Sequence, residues 1–204
     1  TLHARKEMVD FDRRRFEDAR ALLEKAIELE PQFVQPYLQL ADWFSLRLGQ
    51  GWSSDPSADI KGLNLAVNKA AQLPGNAGRA MAMLAHNRTI YERDFDKAID
   101  LIDRALELAP SDAETLMWCG PTMAFNGDAA EAVRRGEKAI ALSPQDPMMF
   151  RYEHFLSISH FTFGNYEEAE RYGLDSMARN PSYSSNLRVT AASMVAQGKL
   201  AEAD

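Results

Sequence analysis

Apolar residues recur along this chain at intervals of three and four, the period that lays them along one face of a helix. Tyr37, Leu40, Ala41 and Phe44 make one such face, and Leu63, Val67 and Ala70 make another. A longer period overlies the first. Two small residues seven apart are followed five residues later by proline in Ala19/Ala26/Pro31, Ala98/Ala105/Pro110, Ala132/Ala139/Pro144 and Ala169/Ser176/Pro181. Residues seven apart lie almost two turns apart on one helix face, so the small pairs mark where a neighbouring helix must come close. Each proline then stops its helix, because it has no amide hydrogen and clashes with the preceding turn. The spacing of the last three prolines matches a helix, a turn, an antiparallel helix and a return turn, so the predicted unit is a helical hairpin.

Hairpins are predicted at 2–13 with 15–30, 34–48 with 57–73, 77–91 with 95–109, 113–126 with 129–143, and 147–163 with 166–179. A sixth first helix at 183–197 has no partner, so its apolar face is expected to be exposed or covered by something else. Gly49 to Pro56 is an insertion within the second hairpin, and Asp55-Pro56 reads as the N-cap and first turn of the next helix. Ser111-x-x-Glu114 reads as a capping box and Asp146-Pro147 as a helix start. In the third hairpin the frames of Met81/Leu84/Ala85 and Phe95/Ala98 disagree by one residue, which a local distortion near Arg88 to Tyr91 would reconcile.

These residues resemble the tetratricopeptide repeat (TPR) family, whose second helix ends Ala-Leu-x-Leu-x-Pro. The match runs through Phe16, Ala19, Leu23, Ala26, Leu29 and Pro31; through Phe95, Ala98, Ile102, Ala105, Leu108 and Pro110; through Gly127, Ala132, Ala139, Leu142 and Pro144; and through Gly164, Tyr166, Ala169 and Pro181. The resemblance covers essentially the whole chain. It implies an all-α, right-handed superhelix, an α-solenoid of about five and a half hairpins forming one array over residues 1–204. In such an array each repeat is expected to touch only its neighbours.

The formal charge of −7 gives no general attraction to phosphate backbones or anionic lipid, so neither nucleic acid nor membrane is the expected partner. The runs Arg13-Arg14-Arg15 and Arg134-Arg135 are short, lie among acidic residues and read as solvated helix faces. The single cysteine, Cys119, sits at a small-residue core position and fits a reducing, cytoplasmic compartment. The chain starts without methionine and stops just inside a new hairpin, and so reads as a piece of a longer multidomain protein.

The sequence has no glycine-rich phosphate loop, no nucleophile elbow and no cysteine or histidine cluster at metal spacing. His154 and His160 are six apart and so fall on opposite sides of a helix. No catalytic, cofactor or metal site is expected, and the chain is read as a non-enzyme. The Asn87-Arg88-Thr89 sequon falls inside a predicted helix and reads as chance. Trp52, in the insertion, must bury its ring against its own hairpin or against a partner. Met81, Met83, Met117, Met123, Met148 and Met149 serve either an adaptable groove or the packing of the first helices.

The TPR resemblance implies a concave groove, lined by first helices, that receives a protein or peptide segment. Projecting the motif inward picks out Gln35, Gln39, Asp42, Arg79, His86, Met117 and Arg151 as candidate groove residues. Chaperone-binding relatives clamp a terminal carboxylate with Lys and Asn pairs that this chain lacks, and Asp42 stands where such a clamp would want a positive or neutral group. A narrower resemblance, carried by Gly51-Trp52-Ser53-Ser54-Asp55-Pro56 and the Asp59/Leu63/Ala70 helix, is to the TPR tails of bacterial nucleotide cyclases and winged-helix regulators. The expected function is therefore a protein-interaction scaffold. The alternative is a regulatory region whose partner is the parent protein's own effector domain, upstream of Thr1.

Overall fold

The computed structural model describes residues 1–203, which form eleven α-helices and no strand. They pair as α1 (Leu2–Val9) with α2 (Arg13–Leu29), α3 (Val34–Gly49) with α4 (Pro56–Gln72), and α5 (Ala77–Asn87) with α6 (Phe95–Leu108). Then come α7 (Ala113–Phe125) with α8 (Ala129–Leu142), α9 (Met149–Phe163) with α10 (Tyr166–Arg179), and an unpaired α11 (Leu187–Ala196). The hairpin order follows the small-residue period. Ala19, Ala98, Ala105, Ala132, Ala139, Ala169 and Ser176 are all fully buried, whereas Ala26 is only half-buried.

Local chemistry sets the helix ends. The second helices α2, α4, α6 and α8 start on Asp12, Asp55, Asp94 and Asp128, whose carboxylates accept the amide hydrogens of Arg15, Ala58, Lys97 and Glu131. Pro56 follows Asp55 at the first helical position, as its missing donor permits. The frame shift in the third hairpin is absorbed by a π-helical turn at Arg88–Glu92, where one extra residue is accommodated before α6.

Four sequence expectations need correction. Ser111 does not cap α7: Asp112, one residue on, accepts the Thr115 amide at 2.7 Å, and Glu114 is drawn away to arginines. Regular helix begins at Met149 rather than Pro147, because Asp146 closes a turn on the Met148 amide at 2.7 Å. The third correction concerns helix bounds: α1 stops at Val9, and α11 follows a short 3-10 turn at Ser184–Asn186.

The fourth correction concerns the ends of the array. They were expected to lie apart and instead they touch. Gln50, at the end of α3, donates to the Ser182 carbonyl at 2.7 Å and accepts from the Ser185 amide at 3.0 Å. Asn180 donates to the Val9 carbonyl at 2.8 Å, and Arg5 reaches Asp146 at 2.8 Å. The inner helices curl until the first hairpin meets the fifth.

Candidate functional site

Curling brings α3, α5, α7 and α9 around one interior, and the candidate groove residues are drawn into it. Gln39, Asp42, Arg79, His86, Met117 and Arg151 are buried, while Gln35 stays half-buried in the first turn of α3. Asp42 is the hub: one carboxylate oxygen accepts from Arg79 Nη2 at 2.6 Å and the other from Arg151 Nη2 at 3.1 Å, tying α3 to both α5 and α9. Arg79 also pairs with Glu114, and Glu114 lies 3.3 Å from Arg5 of α1. Two carboxylates and three guanidinium groups thus form one chain of charge across the interior, in surroundings that raise the cost of leaving any of them unpaired.

On one side of this layer lies α1. Ala4 and Met8 are buried, Arg5 spans Glu114 and Asp146, and Phe11 inserts its ring 5.6 Å from both Phe150 and Tyr183. Trp52 packs edge-on against Phe11 and Phe16, at 5.9 and 5.1 Å, so its ring rests on the first hairpin rather than on its own.

On the other side is a cavity of about 370 Å³, entered past the last turns of α3, α5 and α7. Arg151 lines it together with His86, His154, Tyr91, Tyr183 and Arg188. Burial, reinforced by the Arg151 charge, holds His86 down to about 4. Burial first, then Arg188, His86 and Arg151, holds His154 down to about 3, so both imidazoles are neutral at neutral pH. His154 Nδ1 and the Tyr183 hydroxyl share a 2.8 Å hydrogen bond. Met117 packs in the core and does not line this cavity. His160 faces elsewhere, stacked on Tyr172. Burial pushes the Cys119 thiol up to about 12, which keeps it protonated.

Sequence reasoning passed over Arg5, Phe11, Tyr183 and Arg188, and gave Glu114 only a capping role. One signal was available for Phe11. It occupies the turn position held by Gly127 and Gly164 in later hairpins and adopts the same left-handed backbone, at φ 51°. Arg93, exposed at the same position of the third hairpin, shares it at φ 55°, so the turn itself asks for this backbone and Phe11 stands out by its buried ring.

No protein-family model and no curated protein matches the chain in sequence. Solved structures do match it in shape. A chain of the APC/C hetero-tetramer Cut9–Hcn1 superposes with a TM-score of 0.66 at 14% identity, over 90% of this chain and 34% of that one. Human IFIT1, solved as a dimer with m7Gppp-AAAA, gives 0.69 at 16% identity, over 93% of this chain and 44% of its own. A tetratricopeptide repeat protein from Parabacteroides merdae gives 0.53 at 18% identity, over 98% and 73%. The chain thus spans less than half the length of the first two. Identities this low speak to architecture alone, and the architecture agrees with the hairpin period, the buried small residues and the capped second helices: the chain has the tetratricopeptide-repeat fold.

Proposed function

We propose that this chain is a non-catalytic protein-interaction scaffold whose concave face receives a segment of a partner protein. The observation that carries this reading is the way the face holds α1. A short helix packed on α2 reaches across to it, with one arginine bridging Glu114 and Asp146 and a flanking aromatic in a cage of rings. Those are the elements of helix-in-groove recognition, in which a few anchors carry most of the affinity. A partner segment offering a basic residue and an aromatic at similar spacing would take the place of α1, with Glu114 and Asp146 as its charge partners.

Locking α1 in place tests the exchange. In the intact chain, Val9→Cys and Asn180→Cys stand across an existing hydrogen bond and can be joined by a short bismaleimide. Proteins captured from the native cell by the unlocked variant are expected to be lost after bridging. Capture that is indifferent to bridging would remove α1's place from the mechanism, and a chain that captures no protein would refute the scaffold reading.

A further inference from the structure

The cavity on the far side of the ion-pair layer is polar where the rest of the molecule would not lead one to expect it. In a chain of net charge −7, its wall carries two arginines, two histidines and two tyrosines and no carboxylate. Apart from Ser45 and Ser185 the rest is apolar, with Leu46, Phe155, Ile158 and Val189 among the walls. Its volume of about 370 Å³ falls in the range of small-molecule sites.

Two of its buried polar side chains are left short of partners. Arg151 is 2% exposed, spends only Nη2 on Asp42, and has both Nε and Nη1 buried without a hydrogen bond. His86 Nδ1 is likewise buried and unpartnered. Unpaired donors on a buried cation are costly, and a cation whose single carboxylate is shared with Arg79 is only partly neutralised. Arg188, nearer the mouth, has no carboxylate within salt-bridge distance among the described residues and reaches only the Gly49 carbonyl, at 3.5 Å. Behind the wall, Tyr183 packs on Phe150 at 4.9 Å and on Phe11 at 5.6 Å, so the cavity ends there and does not run through to the α1 side.

We propose that this cavity is a binding site for a small organic anion, a carboxylate or phosphate ester on an aromatic or aliphatic body. The anionic group meets Arg151 and Arg188, the neutral imidazole of His86 and the Tyr91 hydroxyl supply further hydrogen bonds, and the body lies against Phe155, Ile158 and Val189. A blind cavity of this volume suits a free small molecule rather than a polypeptide passing through the ring. The site is separate from the surface that holds α1.

The test uses the intact chain and matched probes followed by calorimetry and by amide chemical shifts: 4-phenylbutyrate, phenyl phosphate, and the neutral 4-phenylbutanol. At least one anion is expected to bind saturably, with shifts centred on Ile90, Tyr91, Phe155 and Val189, and about tenfold or more tighter than the alcohol. The stronger anion identifies the carboxylate or the phosphate ester. Arg188→Gln, at a side chain that holds no other element by a charge, is expected to cut that affinity about tenfold while leaving the unliganded melting temperature in place. Ile158→Trp is expected to abolish binding by filling the cavity. The assignment fails if the alcohol binds as well as the anions, if Arg188→Gln leaves the anion affinity unchanged, or if neither anion binds at millimolar concentration. Binding of a peptide C-terminus where both small anions fail would reassign the cavity to a polypeptide end.

Discussion

His86 and His154 give the interior a readable dependence on acid. Both are held neutral in the folded chain, at about 4 and about 3, chiefly by burial and then by neighbouring positive charge. In the unfolded chain each titrates near 6.5. Above that value neither state is protonated and the pair contributes no slope. As pH falls below it, the unfolded chain takes up protons that the folded chain refuses, so stability is lost, continuing toward the folded values. His160 moves in the same direction, whereas Glu114 and Glu153, raised by burial, oppose the trend at lower pH. Urea titrations between pH 6.5 and 5 are therefore expected to show unfolding free energy falling with acid, with about two protons contributed by His86 and His154 together by pH 5. His154→Gln is expected to remove about one of them, and a slope that this substitution leaves untouched would mean that His154 is not buried neutral. The same residues show what a motif frame can and cannot reveal. It placed Asp42, Arg79 and Arg151 on inward faces, where they are, but Asp42 and Arg151 are 109 residues apart and nothing in the spacing pairs them.

Elements were far more legible, because their signals are local. A small residue at each second-helix crossing, a proline after each second helix and Asp55 ahead of α4 are short-range chemistry, and they placed the hairpins to within about four residues. Even the π-turn at Arg88–Glu92 was foreshadowed by two hydrophobic frames that refused to align. The reading went astray where two donors or acceptors competed. Ser111 and Asp112 were both able to cap α7, and the carboxylate took the position, since Glu114 was pulled to Arg79. The small positions are close approaches. A methyl group placed on Gly78 would lie 2.7 Å from Ala109 Cβ and 3.0 Å from the Ala105 carbonyl oxygen, and one on Gly136 would lie 2.8 Å from Leu156 Cδ1. Ala105→Phe and Ala139→Phe each put a ring at a fully buried alanine on such a crossing and are expected to cost about 1–3 kcal/mol by overpacking. Thermal and urea unfolding would show it, and wild-type melting in both would take these faces out of the helix interfaces.

At the scale of the whole molecule the repeat pattern is silent, because it describes neighbours. Curvature depends on small rotations at each hairpin interface, and their sum decides whether the two ends meet. Here they meet, through bonds between residues 132 to 171 apart in sequence, and the anchor is Phe11. Its left-handed backbone belongs to the hairpin turn and is there whether or not the ends meet, while burial of its ring among Phe16, Trp52, Phe150 and Tyr183 favours closure. Burying such a ring is worth roughly 1.5–3 kcal/mol. An open solenoid and a closed one then respond differently to damage at the first hairpin. In the open case stability sums over adjacent pairs, and a change at α1 stops mattering two repeats away. In the closed case the far end loosens as well, because Tyr183 and the turn leading into α11 lose the surface they rest on. Arg5→Ala combined with Phe11→Ala is therefore expected to leave helical content nearly unchanged by circular dichroism. It should speed amide exchange in α1, in the Ser182–Asn186 segment and in α11, while α7 and α8 keep their protection. Faster exchange confined to α1 and α2 would show that the ends are merely adjacent, and that the molecule behaves as the row of neighbours its sequence describes.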